Sequence, residues 1–414
     1  MKKRILIVFH NNFLDNSVGC NSYVFEIVSY LKRRGCIVDF FSFDNVWDNF
    51  QTFEELNKKF KLVDNFYLHR TRHDEQSLYE TEEKTLLGWK KWKFLSRRTI
   101  RKKRCGDSQL FSLGWMNTDI LNDFQKIISK NKYDFINIHY IQPSELLKYV
   151  TLPPETKCVY TAHDAYFMMS GFFEGGVPGL LFTLPKELEI IGLFQKVFCI
   201  SFDEMSFFMH LLPDVTFFHL PHPLKKRILP EKEKTIDILF LGFMNMHNMR
   251  GLQWFIDKVM PHLKPGFRIT FCGKVWWSFQ KDAPEYLKKA SRLGIRRIDF
   301  VEDLDDLYAQ TKLSICPLQS GTGMKIKTID SMARGIPMVS TTYGVDGFAD
   351  KFESGCLISN DPATFADYIN RMLTDAGFYQ MVKDKADRYF DRYLSLEQNA
   401  KILDEIFELK ENCP

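Results

Sequence analysis

Short apolar runs alternate with longer amphipathic stretches from the first residues to about His222. Residues 5–8 (ILIV) read as a strand, residues 22–34 as a helix with one apolar face, and residues 37–42 as the next strand after Gly35. Strand, helix and strand in that order predict a parallel βαβ unit. Further strands are expected at 135–139, 159–161, 197–200 and 215–220. The polar stretch KKRILPEKEKT (225–235) then breaks the pattern and reads as a linker. A second series follows, with strands at 236–242, 269–272, 298–301, 313–316 and 338–341 and a helix over 251–262. Residues 362–410 are helical throughout, with Phe365, Ile369, Met372, Met381, Ile402, Ile406 and Phe407 at helix-like intervals. The pattern predicts an α/β chain of two Rossmann-like domains, 1–224 and 225–390, and a C-terminal helix, 391–414, packing back on the first.

Composition agrees with two domains: 414 residues, 45% hydrophobic, leave ample material for two cores. The 56 basic and 52 acidic residues give a formal charge of only +4, so no nucleic-acid partner is expected. Nine cysteines, none in a C-x-x-C pair, suit a reducing cytoplasm better than a zinc or disulfide framework. The opening MKKRILIVFHNN reads as a first strand, because its apolar run is too short for a secretory signal. Residues 166–185 carry only Glu174 as an ionised group but also Gly171, Gly175, Gly176, Gly179 and Pro178, and read as a loop rather than a membrane span. Charge is concentrated in WKKWKFLSRRTIRKKR, Trp89 to Arg104. Three readings stand for it: a basic, tryptophan-bearing helix against an anionic membrane surface, a solvated basic helix or disordered loop, and, least favoured, a nucleic-acid patch.

The segment richest in chemistry is CPLQSGTGMKIKTIDSMARGIPMVSTTYGVDGF, residues 316–348. A buried-looking strand ends at Pro317, a flexible loop follows, and a helix begins near Met324. Gly321 and Gly323 let backbone amides approach an anion, the helix start favours negative charge, and Lys325 and Lys327 add cationic donors. Asp330, further along the helix, is placed to accept hydrogen bonds from ribose hydroxyls. Spacing alone equally admits a plain turn, an ordinary Lys327–Asp330 surface pair and a routine helix stop at Gly335 and Pro337.

From Gly321 to Phe348 the string GTGMKIKTIDSMARGIPMVSTTYGVDGF resembles the donor-site signature of retaining GT-B enzymes of glycosyltransferase family 4, the glycosyl transferases group 1. ILFLGFMNMHNMRGLQWFIDKVMPHL resembles the strand, glycine turn and asparagine-containing loop that open the same domain. The resemblance implies two Rossmann-like domains with parallel sheets facing a central cleft, the first binding acceptor and the second a nucleotide diphosphate sugar. It implies a donor site of Gly19, Gly242, Asn248, Arg250, Gly321, Thr322, Gly323, Lys325, Lys327 and Asp330. Two positions where the family carries glutamates fall on Thr322, which loses the charge, and Asp330, which keeps a carboxylate.

In the first half, HNNFLDNSVGCNSYVFEIVSYLKRRG lacks the G-x-G-x-x-G of a dinucleotide-binding unit, which argues against a dehydrogenase. VYTAHDAYFMMSGFF places His163 and Asp164 directly after a strand, the end where ligands gather in parallel sheets. The pair resembles a His-Asp element of the family, which assigns it a catalytic-site role; a strand-end cap bonded to the backbone is the plainer reading. His139, in IHY, is a candidate acceptor contact of the same kind. The D-x-D at 303–305 precedes a short helix and reads as a cap rather than a metal site. The resemblance implies metal- and cofactor-free transfer of a hexose-type sugar, with retention, to a glycan or lipid-linked acceptor in surface polysaccharide or lipopolysaccharide assembly. The cysteine usage places the protein in the cytoplasm, and the basic cluster, which fits a lipid-linked acceptor, places it peripheral on the inner face of the cytoplasmic membrane. The alternatives are a nucleotide-sugar epimerase on the same fold and, because of Thr322, a catalytically degenerate sugar-binding or scaffold subunit.

Overall fold

The computed structural model describes residues 2–15, 19–43, 50–72, 75–81, 92–97, 116–168 and 177–409. The chain divides into two compact units, the first of Met1–Ile200, Glu204–Leu220 and Ala400–Pro414, the second of Ser201–Asp203 and Pro221–Asn399.

The first unit runs β1 (Arg4–Val8), α1 (Gly19–Arg33), β2 (Ile37–Ser42), α2 (Phe50–Phe60), β3 (Asn65–Arg72), β4 (Glu75–Thr81), β5 (Trp92–Arg97), α3 (Thr118–Lys130), β6 (Phe135–His139), β7 (Lys157–Ala162), α4 (Val177–Ile191), β8 (Lys196–Cys199), α5 (Phe202–Leu211) and β9 (Thr216–His219). Among the described residues its sheet has the order β5-β4-β3-β2-β1-β6-β7-β8-β9. Ile5, Leu6, Ile7 and Val8 are all buried, as a central parallel strand covered on both faces requires. Helix α1 buries Tyr23, Val24, Ile27 and Leu31 at three- and four-residue spacing, carries Lys32 and Arg33 in its last turn, and is followed by Gly35 at φ +79°.

Three expectations change in this unit. The sheet is parallel from β3 to β9, but β4 and β5 extend it antiparallel to its neighbours at one edge. Of the basic cluster, residues 92–97 form strand β5 rather than part of a helix, since Trp-Lys-Phe opens on a two-residue alternation that suits a pleated edge; the rest lies outside the described residues. The segment read as a loop to residue 185 is helical from Val177 onward. Pro178 sits in the first helical turn, where a missing N–H is harmless, and Pro185 is accommodated within the helix.

Helix α13 (Leu396–Ile406) carries the chain back to this unit from Ala400. Leu403, Ile406 and Phe407 are buried. The Phe407 ring meets Phe135 edge-on at 5.5 Å and Phe198 at 5.9 Å, and the Tyr30 hydroxyl donates to Asp404 at 2.7 Å.

The second unit contains β10 (Ile236–Leu241), α6 (Met246–Trp254), β11 (Ile269–Cys272), α7 (Val275–Asp282), α8 (Glu285–Arg292), β12 (Arg296–Ile298), α9 (Leu304–Ala309), β13 (Thr311–Cys316), α10 (Ile326–Ala333), β14 (Met338–Ser340), β15 (Leu357–Ile358), α11 (Pro362–Thr374) and α12 (Ala376–Tyr389). Its sheet, β12-β11-β10-β13-β14-β15, is parallel throughout. Phe240, Phe255, Phe271, Phe279 and Phe365 form the centre of its core. The helix expected at 251–262 begins five residues earlier, at Met246, because the Asn245 side chain accepts the Asn248 amide and caps it. Strand β12 lies earlier than expected: Arg296 and Arg297 are exposed, as befits an edge strand.

Candidate functional site

The second sheet changes direction between β10 and β13: β11 and β12 lie on one side of β10, and β13, β14 and β15 on the other. The loops leaving β10 and β13 therefore part at a topological switch point, the usual ligand crevice of an open parallel sheet. Gly242 follows β10 directly; its amide donates to Cys272 O (2.9 Å) and its carbonyl accepts the Val275 amide (3.1 Å). A Cβ on Gly273, which has φ +106°, would stand 2.4 Å from the Gly242 carbonyl oxygen, so these two loops cross only as bare backbone.

The β13 loop is held from both sides. Gly251 on α6 lets that helix approach closely, since a Cβ there would be 2.8 Å from Pro317 O. His247 Nδ1 lies 2.8 Å from Ser320 Oγ, and its ring lies against Gly321. Gly321 (φ +107°) and Gly323 (φ +72°) take the left-handed turns that bring the chain to α10. The first amides of α10 have no acceptor within the helix.

The two lysines differ in role. Lys325, at the N-cap position of α10, turns its ammonium back onto its own loop and donates to Thr322 O (2.7 Å), Gly323 O (2.6 Å) and, more weakly, Gly321 O (3.4 Å). It braces the loop, and its charge also acts on Asp346. Lys327 crosses to the β10 side, donating to Asn248 Oδ1, with its ammonium 4.3 Å from the centre of the Phe240 ring. Asn248 is fixed in turn by donating to Phe243 O (2.9 Å). Burial pulls the Lys327 ammonium down to about 8, helped by the nearby charge of Lys325. The proton of His247 is likewise disfavoured, first by burial and then by Lys325 and Arg250. Arg250 itself is exposed on α6. Positive charge thus converges on the β13 loop.

Asp330 does not pair with Lys327. It accepts from Arg334 one helical turn on (3.2 Å), and Arg334 also donates to Asp305 (2.7 Å) over the Tyr308 ring. Burial raises the Asp330 carboxyl, opposed by Arg334. Asp303 caps α9 by accepting the Asp305 amide (2.8 Å). Thr322 contributes its carbonyl to the Lys325 brace.

In the first unit Gly19 opens α1, and the neighbouring Cys20 thiol accepts from Asn11 Nδ2 (4.0 Å) and donates to Asn21 Oδ1 (3.7 Å). His163 and Asp164 follow β7, with His163 almost wholly buried. His139, a candidate acceptor contact, is completely buried and faces His163: its Nδ1 lies 2.9 Å from His163 Nε2. The Tyr140 ring stacks on His163 at 4.2 Å and 7°. The turn after Asp164 is pinned by Glu187, a buried carboxylate that accepts the amides of Tyr166 (2.9 Å) and Phe167 (2.7 Å) and is pushed up to about 7 by that burial.

Sequence reasoning passed over His247, Arg334, Tyr140 and Glu187. His247 carried a visible signal, a histidine at the mouth of a helix beside a glycine loop. Glu187 carried none, because its partners are backbone amides twenty residues away. Among the described residues no cluster of His, Cys, Asp and Glu could hold a metal ion, and no helix is long and apolar enough to cross a membrane.

The histidines contribute a stability to the first unit that is lost on acidification, a trend that Glu187, pushed up to about 7, opposes with the reverse sign. Burial lowers His139 to about 3 and His10 to about 4, from 6.5 when unfolded. Both are neutral in the fold, so below pH 6.5 the unfolded chain takes up protons that the folded chain refuses. Stability is then lost as pH falls, by up to about 1.4 kcal/mol per pH unit for each histidine. In urea unfolding at pH 7 and pH 5, wild type should lose more stability, or gain less, on acidification than His139→Phe does; equal pH sensitivity in both proteins would count against it.

Residues 235–375 match the family described as Glycosyl transferases group 1. A Klebsiella pneumoniae protein, "Uncharacterized 44.6 kDa protein in cps region", is 25% identical over 268 residues, 59% of this chain and 66% of that protein, so the match spans just under two thirds of the relative. Anabaena Alr3699/HepE, crystallised with UDP and glucose, superposes with a TM-score of 0.66 at 12% identity, over 98% of this chain and 99% of that one. A mutant S. aureus TarM, crystallised with Fondaparinux, alpha-GlcNAc-glycerol and UDP, does so at 0.67 and 11%, over 98% and 99%. At such identities the likeness carries the fold, and the family match carries the second unit: residues 235–375 are a Glycosyl transferases group 1 domain, in a chain with the GT-B glycosyltransferase fold.

Proposed function

We propose that this protein transfers a hexose-type sugar from a nucleotide diphosphate donor to a glycan or lipid-linked acceptor, with retention and without a metal ion. The observation that carries the reading is Lys327, a partly buried cation beside a positively charged glycine loop and an open helix start, at the switch point of the second sheet. Such an arrangement stabilises a leaving diphosphate through fixed donors. In this reading Gly242, Asn248, Arg250 and the loop from Gly321 through Thr322 and Gly323 to Lys325 surround the phosphates. Asp330, steadied by Arg334, accepts from the ribose. Within the first unit, Gly19 is assigned to the donor and His163 and Asp164 to catalysis, as the resemblance implies. The UDP in the HepE and TarM structures makes UDP the first nucleotide to try, and the cps-region relative favours capsule or related surface polysaccharide as the product.

Calorimetric titration with UDP, GDP, ADP, dTDP and CMP, without metal, tests the reading. One diphosphate should bind selectively, with affinity reduced roughly tenfold in Asp330→Ala by loss of a charged hydrogen bond. Absence of binding to folded protein would sink the donor site. Thr322, standing where the family carries a glutamate, favours a second reading as a binding-only subunit, which predicts nucleotide binding without acceptor-dependent release.

The basic segment 89–104 is proposed to bring the chain to an anionic membrane surface. Cosedimentation with phosphatidylglycerol vesicles should be strong at low salt and lost near about 0.5 M, as screening demands. Equal binding to neutral vesicles would refute it.

A further inference from the structure

We infer that His139 is a positioning residue that holds the His163 ring as its Nδ1–H tautomer, so that His163 meets substrate as a hydrogen-bond donor and not as a base. This rests on the reading of His163 as a substrate contact and fixes which proton it carries.

Adjacent parallel strands bring the two rings together: His139 ends β6 in register with Thr161 of β7, and His163 follows β7 directly. His139 Nδ1 and His163 Nε2 stand 2.9 Å apart, so one nitrogen donates and the other accepts. His139 is wholly buried, and that burial holds it neutral with a single proton. The proton can sit on Nδ1 or Nε2. Nε2 is buried and meets no acceptor among the described residues. A buried N–H without an acceptor is worse than an unused lone pair, since orphaned donors are the rarer and costlier defect. The proton of His139 therefore belongs on Nδ1, pointing at His163.

His163 Nε2 must then be bare, and neutral His163 carries its proton on Nδ1. A nitrogen that already holds a proton donates and cannot accept another. The ring plane is fixed as well: Tyr140 stacks on it at 4.2 Å, and Tyr23 meets it edge-on at 5.3 Å. Tyr140 keeps this place at a backbone φ of +71°, a conformation that a tyrosine holds only where its surroundings impose it.

The full chain labelled with 15N-histidine tests the inference directly. Long-range 1H–15N spectra near neutral pH, with His163 identified by its loss in His163→Gln, should show a protonated Nδ1 and a bare Nε2. In His139→Phe the same ring should drift to the Nε2–H form that free imidazole prefers. Acceptor-dependent kcat should fall about 10–100-fold, as for other residues that orient a reacting side chain, with the donor KM within about twofold. His139→Asn, whose amide stands where Nδ1 stood, should restore the tautomer and most of the rate. A wild-type His163 protonated on Nε2 overturns the inference, as does a His139→Phe chain that keeps tautomer and rate. Should that variant fail to fold, the wild-type spectrum and the Asn variant still decide. The spectra need no substrate, so a chain that transfers no sugar would sink the functional reading while leaving the tautomer to be judged alone.

Discussion

Lys327→Met is expected to cost roughly 10–100-fold in nucleoside-diphosphate affinity at pH 7 while leaving the melting temperature unchanged or higher. The loss follows from removing a charge-assisted donor worth about 1.5–3 kcal/mol to the phosphates. The stability half follows from the folded environment, which pulls the ammonium from 10.5 down to about 8. Because the folded value is the lower one, the folded chain binds fewer protons than the unfolded chain between pH 8 and 10.5. Stability rises with pH across that window, and below it the buried charge bears its whole cost. That cost is on the order of 3 kcal/mol as an upper value, before residual solvent access is discounted. A methionine of similar length removes the charge and keeps contact with Phe240. Wild-type affinity should also decline above about pH 8 as the ammonium deprotonates; Lys327→Arg, charged at every accessible pH, should lack that decline. A Met variant that binds as well as wild type removes Lys327 from the site.

Gly273→Ala should destabilise the chain by more than about 3 kcal/mol in urea unfolding and abolish nucleotide binding with it. The added methyl would sit 2.4 Å from the Gly242 carbonyl oxygen and 3.2 Å from its carbon, and backbone atoms have no rotamer through which to yield. Relief must come from moving the β10 loop, which carries Gly242 and leads to Asn248. Gly266→Ala is the matched control: its φ is +94°, but nothing stands within 4 Å of the new atom. It should bear the conformational strain alone, about 1 kcal/mol. Equal losses in the two variants would show that the crossing of the loops is not what excludes a side chain.

Much of the fold was legible because apolar runs bounded by turn residues mark buried parallel strands without ambiguity. The bounds read at 37–42, 135–139 and 269–272 coincide with β2, β6 and β11. The strands missed in the first unit are those whose sequences mix polar with apolar residues, NFYLHRTR, EQSLYET and WKFLSR. An edge extension needs no continuous apolar run, so it leaves little trace in hydrophobicity. In the site, the glycines and cations were legible as types but their directions were not. Lys325 and Lys327 look alike in sequence, yet one folds back on its own loop and the other reaches Asn248, distant in the chain. The histidine pair was hidden for the same reason: only adjacent strands in register bring His139 to His163.

The chain's return to the first unit from Ala400 has a consequence for synthesis. Phe407 lies against Phe135 and Phe198, and Asp404 accepts from Tyr30, so a unit begun early in synthesis is finished by residues made long after its β9. On a translating ribosome the second unit, from Pro221 to Asn399, can emerge and close around its own core while the first still waits with an uncovered apolar seam. Nascent chains stalled before about residue 400 should therefore recruit holdase chaperones through their first unit, and emergence of α13 should end that dependence.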